Sequence, residues 1–172
     1  MIWRRSIIRA LPVVPFALMV FVQASVTQAM ADHPYLESIT WPVDPPTVVE
    51  QFAAPATPWG RGHRGIDFLA APGQSVYAIG PGRIVYVGVI AGKPVIAIEH
   101  PSGLRSSYEP VHARLSEGMQ VQAGDVIGMV AAAGGHCARR CLHLGLRAWG
   151  HYVNPMLLLR SRAVLLPLGT VR

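Results

Sequence analysis

From residue 59 onward the chain is a succession of short apolar runs broken by glycine, proline and small polar residues. Runs at 65–68, 75–79, 83–87, 94–99, 104–108, 119–121 and 126–129 are rich in Val, Ile and Tyr, the composition and length of β-strands. Between them stand turn signals: Ala71-Pro72-Gly73, Gly80-Pro81-Gly82, His100-Pro101-Ser102-Gly103 and Ala123-Gly124-Asp125. The last two sit between paired apolar runs and predict hairpins. Helical periodicity is confined to 156–159 near the end, and no repeat is long enough for a solenoid. The pattern predicts an all-β fold, a compact antiparallel β-sheet domain of sandwich or barrel-like form.

The ends of the chain read differently. Arg4, Arg5 and Arg9 precede an apolar stretch at 10–22, and Ala29-Met30-Ala31 is a small-x-small cleavage signature, so 1–31 is expected to be a cleaved signal peptide. The apolar stretch contains Pro12 and Pro15 and is shorter than the ~20 residues of a membrane span, so no stable transmembrane anchor is expected. Residues 32–57 are Pro-rich and predict an extended lead-in, 58–160 the β domain and 161–172 a C-terminal tail. The chain has 15 Lys+Arg against 9 Asp+Glu; with three arginines in the leader, the mature excess is small. No clustered basic face with interleaved aromatics stands out, so no nucleic-acid partner is expected. Weak attraction to an anionic wall or membrane surface is compatible with the charge.

Two strings carry the chemistry. His63-Arg64-Gly65-Ile66-Asp67 sets an imidazole and a carboxylate four positions apart, and Cys141-Leu142-His143 adds a second imidazole on an expected strand. Three N/O ligands with a fourth position open are what a catalytic Zn2+ site requires. Taken singly, His63 is a loop histidine beside arginines, Asp67 a turn cap and His143 an inward strand histidine; the case for metal rests on all three together.

These strings resemble the lysostaphin/LytM-type zinc metallopeptidases, which cut peptide cross-bridges in bacterial cell walls. The resemblance runs from about residue 59 to 155 and includes, in order, the His63–Asp67 string, 71–78, 82–85, 98–103, 121–128 and 142–145. It implies the lysostaphin/LytM-type fold, Zn2+ held by His63, Asp67 and His143, peptidoglycan or cell-wall peptides as partner, and a secreted, wall-associated location. Two positions depart from the family pattern. Its His-x-His is here Cys141-Leu142-His143, and its Tyr-x-His is Tyr108-Glu109-Pro110, so both supporting imidazoles are replaced. His112, on the same face as Pro110 if the strand continues, and His136, in the loop before Cys141, are the expected catalytic stand-ins, with Glu109 a further base.

Cys137 and Cys141 are expected to form a disulfide in an exported chain; Cys141 as a fourth zinc ligand, which would close the site, or as a nucleophile are the alternatives. Two function classes follow: a peptidoglycan-directed zinc metallopeptidase, or an inactive, zinc-braced binder that regulates another wall hydrolase. A third, a lipoyl- or biotin-carrier barrel suggested by 121–128, lacks a lysine at the hairpin tip and is set aside. Trp59 and Trp149 are candidates for a groove near the metal or for packing anchors; His100 belongs to its hairpin, and His33, His151 and Arg139-Arg140 to the surface.

Overall fold

A computed structural model describes residues 39–57, 59–101, 103–133 and 140–160. The expected signal peptide, the C-terminal tail, His136 and Cys137 lie outside the described residues. Eleven strands follow in order: β1 (Val48–Glu50), β2 (Gly65–Leu69), β3 (Ser75–Tyr77), β4 (Gly82–Ile90), β5 (Lys93–Glu99), β6 (Leu104–Glu109), β7 (Val111–Ala113), β8 (Gln120–Val121), β9 (Val126–Val130), β10 (Cys141–Ala148) and β11 (His151–Tyr152), then a single helical turn, α1 (Met156–Leu159). The expected all-β, antiparallel architecture is what the chain adopts.

The larger sheet has the order β1-β2-β10-β6-β5-β4-β8, with β11 pairing β10, and the smaller has β3-β9-β7. The period-2 alternation of each central strand assigns its faces. On β10, Leu142, Leu144, Leu146 and Ala148 are buried, while Arg147 on the opposite parity is exposed. Ile66 and Phe68 of β2, Ile96 and Ile98 of β5 and Tyr108 of β6 are fully buried, as are Val76 and Ile127 from the smaller sheet. All belong to one apolar core, each large side chain contributing roughly 1.5–3 kcal/mol by leaving water. Glycine serves both expected turns: Gly103 and Gly124 take φ of +77° and +85°, a region other residues avoid, and Gly103 N–H closes the β5–β6 hairpin on the His100 carbonyl at 2.9 Å. The hairpin expected around 123–125 does not form: β8 pairs β4 in the larger sheet and β9 lies between β3 and β7 in the smaller, so this turn carries the chain from one sheet to the other.

A polar thread crosses the core. Ile79 N–H donates to the Tyr108 hydroxyl at 3.0 Å, which lies 3.1 Å from Ser106 Oγ, which lies 2.8 Å from His100 Nε2. His100 Nδ1–H donates to the Pro81 carbonyl at 2.7 Å. A carbonyl only accepts, so Nε2 of the neutral ring is left to accept the Ser106 proton, and Ser106 in turn accepts from Tyr108. Burial lowers the His100 pKa, against the raising effect of the Pro81 carbonyl, and pushes Tyr108 up to about 12. Both therefore stay neutral near pH 7, and every group in the thread is satisfied.

Two segments differ from the expected pattern. Within the Pro-rich stretch, Val43 is fully buried and β1 pairs β2, with Val48 opposite Phe68 and Glu50 opposite Asp67. The strand carrying Tyr108 does not continue through Pro110. It ends at Glu109, and Val111–Ala113 joins the smaller sheet opposite Val130, Met129 and Gly128. Pro110 and Val111 are both buried and His112 is exposed, so the alternation that would put His112 on the face of Pro110 is broken there.

Candidate metal centre

On the larger sheet the core takes one parity of residues and the chemistry takes the other. His143 of β10 pairs directly with Asp67 of β2 on one side and Glu109 of β6 on the other. Directly opposed residues share a face with Cβ atoms about 4.5–5.5 Å apart, so the three form a row on the side turned away from the core. His63 reaches the row from the loop before β2, where it makes an isolated bridge with Ala53.

The donor atoms converge. His63 Nε2 is 3.0 Å from Asp67 Oδ1 and 3.1 Å from His143 Nδ1, and His143 Nδ1 is 2.7 Å from Asp67 Oδ1. Among the described residues, these three side chains are the group that could hold a metal ion. Zinc with ligands at about 2.0–2.1 Å in tetrahedral geometry sets its donor atoms about 3.3 Å apart, so the triangle is close to the face such an ion needs. Asp67 is fully buried beneath the imidazoles, whose side chains are 10% and 12% exposed.

Supporting contacts fix the imidazoles. His63 Nδ1–H donates to the Gln51 carbonyl at 2.8 Å, so its Nε2 lone pair faces the site, the outer-shell device that sets tautomer and ring orientation in metal centres. His143 presents Nδ1 and lays the rest of its ring over Gly65. A Cβ at Gly65 would stand 2.5 Å from both Cε1 and Nε2 of that ring and would also strike the Leu144 carbonyl. Glu109 accepts from Lys93 Nζ at 2.9 Å, and the pair is about a quarter exposed.

Beyond the metal row, Gly65 pairs Gly145, Gly145 pairs Ser107 and Ser107 pairs Ala97, a row of small residues in which both glycines are buried. Further along β10, Arg147 stands opposite Arg105. A cleft of about 770 Å³ opens at the β1, β2 and β10–β11 end, lined in part by Phe52, Trp59, Arg64, Arg147 and Tyr152.

His63, Asp67 and His143 are thus brought together, and among the described residues the expected His112 is not placed with them. His112 is exposed on β7 in the smaller sheet, and His136 lies outside the described residues. Cys141 is not free and is not in the donor group; the pairing expected with Cys137 lies partly outside the described residues. Glu109 stands next to His143. Sequence reasoning missed the Gln51 carbonyl, a main-chain acceptor without a side-chain signature, and the role of Gly65, for which the only signal is its place between two ligands. Trp59 and Trp149 are 96% and 88% exposed, so neither anchors packing; Trp59 lines the cleft.

Residues 61–155 match the model of Peptidase family M23. An uncharacterized protein of Mycobacterium tuberculosis, Rv2891, is 47% identical over 131 residues, covering 72% of this chain and 52% of its own length. The murein hydrolase activator NlpD of Escherichia coli is 33% identical over 125 residues, 71% of this chain and 31% of NlpD. The chain therefore spans about half or less of these relatives. Among solved structures, a zinc-containing peptidase from Vibrio cholerae superposes with a TM-score of 0.60 at 26% identity over 69% of this chain and 39% of that one. Lysostaphin does so with a TM-score of 0.60 at 25% identity over 73% and 54%. The family and the zinc-containing neighbour indicate Zn2+ as the metal, and the donor set fits it.

Proposed function

Because the chain belongs to Peptidase family M23, we propose that it is an exported zinc metallopeptidase acting on the peptide cross-bridges of peptidoglycan. The observation that carries this is the convergence of His63 Nε2, Asp67 Oδ1 and His143 Nδ1. When bound, zinc supplies a Lewis acid for the scissile carbonyl and lowers the pKa of a water in its open position. His63 Nε2 and His143 Nδ1 would hold the ion, and the Asp67 carboxylate would add negative charge that offsets the metal's.

General acid–base help, worth typically 10²–10⁴-fold, falls to Glu109 in this reading. Its carboxylate neighbours His143 in register and is steadied by Lys93. His136, the other stand-in expected from the sequence, comes next; His112, exposed on β7 of the smaller sheet, is set aside. A leader at 1–31 delivers the domain to the wall, and a Cys137–Cys141 disulfide clips the loop before β10.

A second reading has a specific basis: Pro110 and Cys141 occupy the positions of the family's two supporting histidines, and two relatives are named as murein hydrolase activators. In it, the domain is a zinc-braced binder that regulates another hydrolase. Release of dye-labelled fragments from purified peptidoglycan by zinc-loaded protein separates the two. Turnover that disappears in His63→Ala supports the peptidase. No turnover on several wall types, with zinc bound, leaves the regulator.

A further inference from the structure

The cleft beside the metal row has a chemistry of its own. Phe52, Trp59 and Tyr152 give it aromatic walls, Arg64, Arg147 and His151 give it polar edges, and no carboxylate lines it among the described residues. A tryptophan 96% exposed on the wall of a concave site offers a flat, rigid contact surface, the property that enriches such residues in binding sites.

Arg147 is held in place. Its guanidinium lies 5.2 Å from the Tyr152 ring centroid and donates from Nε and Nη2 to the Gly150 carbonyl at 3.3 and 2.8 Å. Nη1 has no acceptor among the described residues. Directly across the strand pair stands Arg105, and like charges so opposed are destabilising. Arg105 has Glu99 opposite on its other side, whereas Arg147 is followed on its other side by Tyr152. A fixed guanidinium with open donors, next to a second one and short of an anion, matches a carboxylate.

The register places this donor relative to the metal. His143 and Arg147 are four residues apart on one face of β10, about 13 Å at the strand's rise of ~3.4 Å per residue. Gly145 lies midway, buried, with the Tyr152 ring near it. A peptide passing along this side of the sheet over Tyr152 would present a carbonyl to the metal row and, from an adjoining residue, a long substituent to Arg147.

We propose that the cleft is a subsite for a free carboxylate carried by a wall peptide on a residue adjoining the bond held at the metal, with Arg147 as the clamp and Trp59 and Tyr152 covering the chain. The proposal rests on the wall-peptide reading above and sharpens it to acidic, non-amidated stems.

Calorimetric titration of the zinc-loaded protein with a soluble wall stem peptide bearing free carboxylates, and with the same peptide amidated at those groups, tests it. A charge-assisted hydrogen-bond pair predicts roughly 10–100-fold tighter binding of the free acid. Arg147→Gln removes that preference while zinc content is kept, and Arg147→Lys restores only part, lacking the planar fork. Equal affinity of wild type for the two peptides, or a preference that survives Arg147→Gln, overturns the subsite and leaves the wall-peptide reading standing. Failure of wild type to bind either peptide overturns both. The wild-type ratio needs no variant, so it decides the matter even if the substituted chains fold poorly.

Discussion

Gly65→Ala tests whether the site depends on close backbone packing. The added Cβ would stand 2.5 Å from Cε1 and Nε2 of His143 and would also strike the Leu144 carbonyl. An ordinary contact there is about 3.5 Å, so the ring must retreat by roughly 1 Å. The carbonyl belongs to the strand paired with β2 and cannot rotate away. Nδ1 of the same ring sits 2.7 Å from Asp67 Oδ1, and a shift of about 1 Å is half a zinc–nitrogen bond. Overpacking of this kind costs about 1–3 kcal/mol, which at roughly 2–4 °C per kcal/mol lowers Tm by about 2–12 °C. Disturbing a ligand's support lowers zinc affinity by about 10–100-fold. Gly145→Ala, on the paired residue, is the comparison: its Cβ meets Ser107 Oγ at 2.7 Å, a hydroxyl that turns aside. Calorimetry of the metal-free proteins and zinc competition against a chromophoric chelator read both effects. If Gly65→Ala binds zinc and melts like Gly145→Ala, the packing argument is wrong.

Other outcomes follow from the same geometry. Glu109→Gln should retain zinc but lose about 10²-fold or more of any wall-hydrolysing activity, measured by fragment release; full activity would remove Glu109 from the mechanism. Chelation of zinc should lower Tm, since free metal at 100-fold its Kd contributes about 2.7 kcal/mol; an unchanged thermogram would mean the metal site is absent from the native protein. Ser106→Ala should cost roughly 2–5 kcal/mol in denaturant unfolding, because it strips partners from buried His100 and Tyr108 at once. For pH, the lowered His100 pKa means that the unfolded chain binds this proton more readily. Its contribution is therefore fully present above about 6.5 and is lost as pH falls toward the folded value. Tm should drop as pH falls below about 6.5 more in wild type than in His100→Gln, and parallel curves would contradict this.

Much of this was legible in the sequence where local chemistry decides. The alternation along 142–148 assigns core and site faces without reference to any other strand, and Gly103 and Gly124 announce their turns, though only the first joins paired strands. The metal donors were readable because they are side chains in a recognisable order. What escaped depends on pairings the chain does not advertise locally. β1 lies in a Pro-rich stretch and is defined by β2, some twenty residues later. The Gln51 carbonyl acts through the main chain. His112 shares the face of Pro110 only if the strand continues, and the chain instead leaves one sheet for the other there. The row Asp67–His143–Glu109 brings together residues from three strands, so the place of Glu109 beside the metal appears only once the register is known.

The central claim, an open zinc site made of three N/O side chains, is tested most directly by X-ray absorption at the zinc edge of the stoichiometrically loaded protein. The account predicts four light-atom neighbours at about 2.0–2.2 Å, with imidazole back-scattering from two rings and no sulfur. Loss of one ring's signal in His143→Ala would follow. A zinc–sulfur shell at about 2.3 Å, or a first shell unchanged in His143→Ala, would contradict it.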